Sequence, residues 1–181
     1  MTATTAEKDA IIGAAAPYVK VWLLLCSDLA IRSGTAARLG PRNYDAQRRT
    51  LTFITKGGRN MTLPVTAQLD AIIAPLARLD PNESYVNLLH PSGTAGPTAL
   101  RLAMREIRKR IGIKKNIRPH DLRRTTANEI YTNTRDLRIV QAVLGHKRLD
   151  STLHYLGHGS DPVDLNVLEL AKLDTRAEVI Q

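Results

Sequence analysis

The hydrophobic positions in the first part of the chain predict a run of helices. Ala6 to Ala16 and Tyr18 to Leu29 carry apolar residues at helical spacing, and Pro17 suits a first turn because its missing N–H would be unpaired there anyway. A third helix is predicted from Arg32 to Leu39, just before the helix-breaking pair Gly40-Pro41. The apolar side chains of the second helix are expected to point into the core: Trp22, Leu23, Leu25, Cys26 and Leu29.

A β-hairpin is predicted to follow these helices. Arg49 to Thr55 alternates apolar and polar residues, and Asn60 to Val65 can pair with it across Gly57-Gly58. Glycine at the turn accommodates the positive φ angles that tight hairpins require. Lys56 therefore lies at the tip of the predicted hairpin.

The rest of the chain is predicted to be mostly helical. Pro81 to Pro97 is the exception, since its turn-forming residues indicate a loop with a short apolar stretch. In the helix from Thr98 to Ile111, the residues available for the core are Leu102, Ile107 and Ile111. The other predicted helices are Ala67 to Leu79, the stretch that starts at His120, Asp136 to Leu144, Leu149 to Leu156 and Pro162 to Leu173. The predicted fold class is mainly α with a small antiparallel β-hairpin, which is an α+β fold.

The composition is typical of one globular domain. A chain of 181 residues with 43% hydrophobic and 4% aromatic residues favours a single core of aliphatic side chains. The single cysteine, Cys26, cannot form an internal disulfide, so no oxidising compartment is implied. The polar N-terminus and the short apolar stretch from Val19 to Cys26 give neither a signal peptide nor a membrane span. We therefore expect a soluble, cytoplasmic protein.

The net charge of +9 is concentrated in one segment. Residues 101–124 hold ten Lys or Arg against two acidic residues, a net of +8, while residues 1–100 sum to +3 and residues 125–181 to −2. Such a segment is either the solvated face of a helix or the electrostatic footprint of a DNA-binding surface. In the second case the candidate DNA contacts are Arg105, Arg108, Lys109, Arg110, Lys114, Lys115, Arg118 and Arg124.

Residues 120–155 include side chains that suit catalysis at a phosphodiester. This segment contains His120 and Arg123 in the sequence HDLRR, His146 in the sequence LGH, and Tyr155 nine positions after that histidine. Planar guanidinium groups match two phosphate oxygens at once, and a tyrosine hydroxyl can attack phosphorus and hold it covalently. His120 and Arg123 are three positions apart on a predicted helix, so they share a face and can address one phosphate.

These motifs, in this order and at these separations, resemble the catalytic core of the tyrosine recombinases, the phage integrase family. The family also has an earlier arginine at the start of a helix, and Arg32 in Ile31-Arg32-Ser33-Gly34 fits that place. A lysine in a β-hairpin of the family corresponds to Lys56 in Thr55-Lys56-Gly57-Gly58. The resemblance covers about residues 15–157 and implies the catalytic-domain fold of tyrosine recombinases.

The resemblance implies DNA strand cleavage and rejoining without a metal or nucleotide cofactor. Tyr155 would attack the scissile phosphate and form a 3′-phosphotyrosyl link, which religation with a 5′ hydroxyl would reverse. Arg32 and Arg123 would hold the non-bridging oxygens. His120 would accept the proton of the tyrosine, and His146 would hydrogen-bond to the phosphate. Lys56 would donate a proton to the leaving 5′ oxygen.

Two departures from the family pattern are visible. An acidic residue commonly follows the first arginine three positions later, where this chain has Thr35, which weakens the brace of that guanidinium. The separate helical DNA-binding domain that usually comes first has no room before Arg32. Residues 1–181 are therefore expected to form one catalytic domain, with a core at about 15–157 and a helical tail at about 160–181. An excised or truncated protein, or a partner that supplies the other half, would account for this.

The expected partner is double-stranded DNA, with self-association on DNA through the C-terminal segment and no membrane. Two other interpretations stay open from the sequence. A non-catalytic DNA-binding module of the same fold would keep the basic surface without the chemistry. A monomeric nicking and relaxing enzyme would use the same residues without exchanging strands.

Overall fold

Helices make up most of the fold, and one of them is buried on all sides. The structure, a computed structural model, describes residues 2–55, 57–146 and 148–156. Its helices in chain order are α1 (Thr5–Gly13), α2 (Pro17–Ser27), α3 (Ser33–Ala36), α4 (Ala67–Ile73), α5 (Tyr85–Leu89), α6 (Pro97–Arg110), α7 (Pro119–Thr134), α8 (Leu137–Leu144) and α9 (Leu149–Leu156), with 3-10 turns at Pro41–Asn43 and Ala74–Leu76.

Helix α2 is the centre of the fold because its apolar residues cover its whole circumference. Every residue from Val21 to Ser27 is buried. A helix that is apolar all round is stable only when other elements surround it, and α5 and α7 pack most closely against this one. The five residues predicted to point inward from α2 are all buried.

A three-stranded antiparallel sheet contains the predicted hairpin. Its strands, in the order in which they pair, are β1 (Tyr44–Asp45), β2 (Thr50–Ile54) and β3 (Asn60–Pro64). Leu51 of β2 lies opposite Leu63 of β3 on the buried face. The sequence did not predict β1, because a strand of two residues is too short to show alternation.

The predicted loop at residues 81–97 contains helix α5, so that part of the prediction is wrong. The Ser84 hydroxyl caps the helix by accepting a hydrogen bond from the Asn87 N–H at 3.2 Å. Tyr85 and Val86 are fully buried. A helix of five residues is shorter than the window in which helical periodicity becomes visible, and burial against α2 stabilises it instead.

Two other predicted helices differ from the observed ones in detail. Helix α4 ends at Ile73 rather than Leu79, because Pro75 lacks the N–H that would continue the hydrogen-bond ladder, and a 3-10 turn follows. In α6, Leu102 is 45% exposed and does not join the core as predicted. The inner face of α6 is formed by Leu100, Met104 and Ile107.

A smaller part of the core fixes the C-terminal helices. It lies between α7, α8 and α9 and consists of Ala30, Ala127, Val140, Leu144 and Leu156. Because these helices carry the HDLRR and LGH motifs and the tyrosine, this cluster sets the relative positions of the candidate catalytic side chains. The predicted helix at residues 162–173 falls outside the described residues. Within the described part of the chain, no helix has the length and apolar character needed to cross a bilayer.

Replacing Gly40 with alanine is expected to destabilise the fold. An added Cβ atom would lie 1.9 Å from the main-chain oxygen of Glu83, and the Tyr85 N–H holds the two segments together by donating to the Leu39 carbonyl at 2.8 Å. We expect the free energy of unfolding to fall by about 1–3 kcal/mol in urea denaturation. The control is Gly13→Ala, whose added Cβ meets nothing within 4 Å, and equal effects of the two variants would contradict the prediction.

Candidate active site

Helix α7 presents the two functional side chains of the HDLRR motif on one face. Pro119 occupies the first turn, and the Asp121 carboxylate accepts a hydrogen bond from the Arg118 N–H at 2.9 Å, which fixes the start of the helix. His120 and Arg123 both line a cleft of about 880 Å³. The predicted shared face is therefore present.

Arg123 is a buried cation held by the ends of two other segments. Only 4% of the surface of this residue is exposed to solvent. One guanidinium nitrogen, Nη1, donates to the carbonyl of Ala30, just after α2, and Nη2 donates to the carbonyl of Leu144, the last residue of α8, at 2.8 Å. Carbonyls at helix ends lack an intrahelical partner and carry partial negative charge, so they suit a cation. Arg123 thereby ties α7 to α2 and α8 while reaching the cleft.

His146 follows directly on the glycine that ends α8. Gly145 has φ +62°, the left-handed conformation that commonly closes a helix. The His146 Nδ1 atom lies 3.2 Å from the hydroxyl of Thr152, which is fully buried, and the Gln141 side chain donates to the His146 carbonyl at 3.2 Å. These contacts fix the ring through Nδ1 and hold the main chain of His146 in place.

Tyr155 lies between the two histidines. Its ring meets those of His120 and His146 edge-on, at centroid distances of 5.0 Å and 5.5 Å. The tyrosine hydroxyl donates to the main-chain oxygen of His120 at 3.4 Å, and the guanidinium carbon of Arg123 lies 5.8 Å from the centre of the tyrosine ring. Burial raises the pKa of Tyr155, while the Arg123 charge and hydrogen bond lower it. The hydroxyl is therefore protonated at neutral pH and needs a base if it is to attack.

Arg124 also contacts the tyrosine segment. Its Nε donates to the Tyr155 carbonyl at 2.5 Å, and its guanidinium carbon lies 5.7 Å from the centre of the tyrosine ring. This arginine was predicted as a structural residue or a DNA contact. In the structure it anchors the end of α9 to α7.

Arg32 is the fifth member of the group. It precedes α3, is exposed, and lines the same cleft as His120 and Arg123. Thr35, the residue that stands where the family commonly has an acid, lines this cleft as well. The structure thus brings together five of the six predicted catalytic residues. Lys56 lies outside the described residues, although Thr55 before it also lines the cleft.

Both histidines are in the neutral form at neutral pH. Burial lowers the pKa of His146 to about 4, and the positive charges of Arg123 and Arg32 act in the same direction. Burial also lowers the pKa of His120, again with help from Arg123. The surroundings of these histidines therefore disfavour a further positive charge, which is the electrostatic environment expected of an anion-binding site.

The folded protein is expected to lose stability through His146 as the pH falls from 7.5 to 5.5. The unfolded residue has its ordinary pKa of about 6.5, so the unfolded chain binds more protons than the folded chain in this range, and acid favours unfolding. Urea denaturation at several pH values measures this. His146→Gln removes the titrating group and should show a smaller pH dependence, whereas equal dependence in both proteins would contradict the assignment.

The predicted DNA contacts fall into two groups. Arg105, Arg108 and Arg118 line a second pocket, of about 440 Å³, that reaches His120. Lys109 is exposed beside Glu106, to which it lies at 3.5 Å, and Lys114 is exposed. The other group is fastened to the N-terminal part of the chain: Arg110 donates to the Ala14 carbonyl, and Lys115 pairs with Glu7 at 3.1 Å.

The sequence interpretation overlooked several residues of the site. Thr152 lies three positions before Tyr155 on α9, so the shared helical face was a usable signal. Arg38 and Arg42 line the main cleft, although neither was predicted to have a role. For a metal, the described residues offer no group of three His, Cys, Asp or Glu side chains.

Solved structures share this fold. The XerA recombinase matches over 96% of this chain and 65% of its own, with a TM-score of 0.71 and 19% identity. The Tn1549 transposon integrase in complex with circular intermediate DNA matches over 94% of this chain and 64% of its own, with a TM-score of 0.66 and 14% identity. At these identities the likeness concerns the fold, and it confirms the predicted fold class.

The sequence comparisons identify the family. Tyrosine recombinase XerC of Methylobacterium nodulans is 30% identical over 140 residues, which are 74% of this chain and 43% of that protein, so the chain spans less than half the length of this relative. The model of the phage integrase family matches residues 3–160. That match includes the arginine, histidine and tyrosine positions described above. The chain therefore belongs to the phage integrase family.

Proposed function

We propose that this chain is the strand-cleaving and rejoining domain of a site-specific tyrosine recombinase. The observation that carries the proposal is the position of Tyr155, whose ring contacts the rings of His120 and His146 and lies beside the guanidinium of Arg123. Membership of the phage integrase family and the similarity to XerC support it. The substrate is double-stranded DNA, and the Tn1549 integrase, bound to DNA in its structure, is consistent with that choice.

In the proposed reaction, the Tyr155 oxygen bonds to the scissile phosphorus as the bond from phosphorus to the 5′ oxygen breaks. Arg32 and Arg123 hold the non-bridging oxygens and stabilise the charge that develops on them. His120 accepts the tyrosine proton, which its lowered pKa allows because the ring is neutral at pH 7. His146 donates to the phosphate through Nε2. The phosphotyrosyl link retains the energy of the broken bond, so rejoining needs no external energy source.

Lys56 is proposed as the acid that protonates the leaving 5′ oxygen. The hairpin carries Thr55 to the edge of the cleft, and the turn is closed by a hydrogen bond from the Gly58 N–H to the Thr55 carbonyl at 2.9 Å. The role follows from the family motif and from this placement of its neighbour.

Contacts with the DNA backbone are assigned to the basic residues that are not bonded to the N-terminal part of the chain. Arg105, Arg108 and Arg118, which line the second pocket, and the exposed Lys109 and Lys114 are proposed to contact backbone phosphates. We further propose that the whole chain forms one domain and that it self-associates on DNA. A preceding domain or an accessory protein would bind the other side of the duplex. In the cell it would be found with the nucleoid.

The proposed function is tested by searching for a covalent adduct between the protein and DNA. A pool of nicked suicide duplexes with a randomised centre is incubated with the protein, denatured, and searched for protein-linked DNA, because a nick lets the short 5′ fragment diffuse away and prevents rejoining. We expect adducts enriched in a common sequence, with the DNA attached to Tyr155 by peptide mapping. No adduct from the whole pool, or attachment to another residue, would contradict the proposal. Relaxation of a supercoiled plasmid without joint products would instead favour the nicking and relaxing enzyme.

A further inference from the structure

The main cleft extends beyond the groups that the proposed reaction uses. Besides Arg32, His120 and Arg123, its lining includes Arg38 and Arg42. The sequence interpretation and the proposed chemistry assign no role to either residue. At about 880 Å³ the cleft is larger than a single phosphodiester group needs.

The segment between these two arginines is held rigidly in the fold. Leu39, Gly40 and Pro41 are all buried. The Gly40 N–H donates to the Asn43 side chain at 3.1 Å, and the Asn43 amide donates in turn to the Thr52 carbonyl of β2 at 3.0 Å. The cost of immobilising this backbone is therefore met in folding, and a ligand of Arg38 and Arg42 would order only the two side chains.

Both arginines lack a counter-ion of their own. Arg38 and Arg42 are exposed, and neither makes an ion pair or a side-chain hydrogen bond with a residue that the structure describes. Other exposed arginines of the chain do: Arg49 lies 3.5 Å from Asp70, and Arg105 lies 3.2 Å from Glu106.

No carboxylate balances the charge of the cleft. The residues that line it, among those described, include four arginines and no Asp or Glu. The nearby carboxylates point elsewhere: Glu83 accepts from Ser84 and Asn87 of the α5 region, and Asp45 accepts from the main chain of its own turn. The excess of positive charge in the lining of the cleft favours an anionic ligand.

We propose that Arg38 and Arg42 form a second phosphate-binding subsite, which holds the DNA backbone next to the scissile phosphate. The inference rests on the proposed function, since it takes duplex DNA as the ligand. A polyanion fits better than a small anion because the arginines line an open cleft that is continuous with the catalytic groups. Each planar guanidinium can bind two oxygens of one phosphate, so the pair would set how far the strand advances along the cleft.

The test is the salt dependence of binding to a random-sequence duplex, which requires no knowledge of the target site. Each phosphate contact contributes about 0.9 to the slope of log affinity against log salt concentration. We expect Arg38→Gln/Arg42→Gln to lower the slope by about 2 and to weaken binding at low salt. Arg38→Lys/Arg42→Lys keeps the charges and should keep most of the slope. Thermal unfolding shows whether each variant is folded.

The matched control is Arg48→Gln/Arg78→Gln. It removes the same two charges from exposed positions outside the lining of the cleft. An unchanged slope in Arg38→Gln/Arg42→Gln, or an equal decrease in the control, would overturn the inference. The adduct assay separates this outcome from the fate of the proposed function: adducts with an unchanged slope reject the subsite alone, while a reduced slope without adducts rejects the chemistry alone.

Discussion

Tyr155→Phe is expected to abolish the protein-DNA adduct and to leave DNA binding nearly unchanged. The substitution removes only the oxygen that would bond to phosphorus. The ring stays between His120 and His146, since both contacts are with its edge or face rather than with the oxygen. The measurement is adduct yield on the nicked duplex pool, together with affinity for the same pool.

The stability of this variant should change little. The hydroxyl donates a hydrogen bond to the main-chain oxygen of His120 at 3.4 Å, and a single hydrogen bond contributes about 1 kcal/mol on average. The control is Tyr18→Phe, because Tyr18 contacts the ring of His90 and lies outside the cleft. Adducts that persist in Tyr155→Phe at the wild-type level would show that another group is the nucleophile and would reject the proposed reaction.

Substitutions of Arg123 are expected to affect both folding and chemistry. Arg123→Ala leaves the carbonyls of Ala30 and Leu144 without their donors, and each unpaired buried group costs about 1–3 kcal/mol. We expect the free energy of unfolding to fall by about 3 kcal/mol or more, measured in urea. This variant should give no adduct, since it lacks the guanidinium that is proposed to hold the scissile phosphate beside the tyrosine.

Arg123→Lys separates the two effects. A lysine keeps the positive charge but lacks the planar fork, so it cannot reach both carbonyls and a phosphate oxygen at once. We expect adduct formation to slow by about 100-fold or more, as when one donor to a developing anion is removed, with a smaller loss of stability than in Arg123→Ala. The control is Arg135→Lys, at an exposed position over the ring of Tyr131. Normal cleavage by Arg123→Lys would mean that charge alone suffices there.

Adding DNA also separates the role of Arg123 in folding from its proposed role in binding the phosphate. If Arg123 binds the scissile phosphate, wild-type protein should gain thermal stability on adding duplex, and Arg123→Lys should gain less. A purely structural arginine would lower the stability of the free protein without changing that gain. Equal gains in the two proteins would therefore place Arg123 in the fold but outside the DNA contact.

Local patterns explain why much of the fold was predicted. The capping threonine at Thr66, the left-handed glycine at Gly145 and the alternation in β2 each depend on residues a few positions apart, so short windows of sequence contain the whole signal. The placement of His120 and Arg123 on one face follows in the same way from a helical repeat. Where the local signal was short, as in β1 and α5, the prediction failed.

The positions of the basic residues could not be predicted to the same extent. Arg108 and Arg110 are two positions apart on α6, yet one lines the pocket beside His120 and the other donates to Ala14. The charge of a segment shows that cations are present but not which face of the helix each one occupies once α1 has packed against it. Only the packed structure separates the arginines that fasten the N-terminus from those available to DNA.

By itself, the sequence determined the family, the helical elements and the identity of the candidate catalytic groups, because these depend on motifs and on short-range periodicity. Only the tertiary structure decided that Arg123 is buried between the Ala30 and Leu144 carbonyls, 93 and 21 positions away along the chain, and that Arg38 and Arg42 share its cleft. The physical reason is that every residue has a main-chain carbonyl. Such an acceptor has no signature in the sequence, and folding alone selects which ones hold the guanidinium in place.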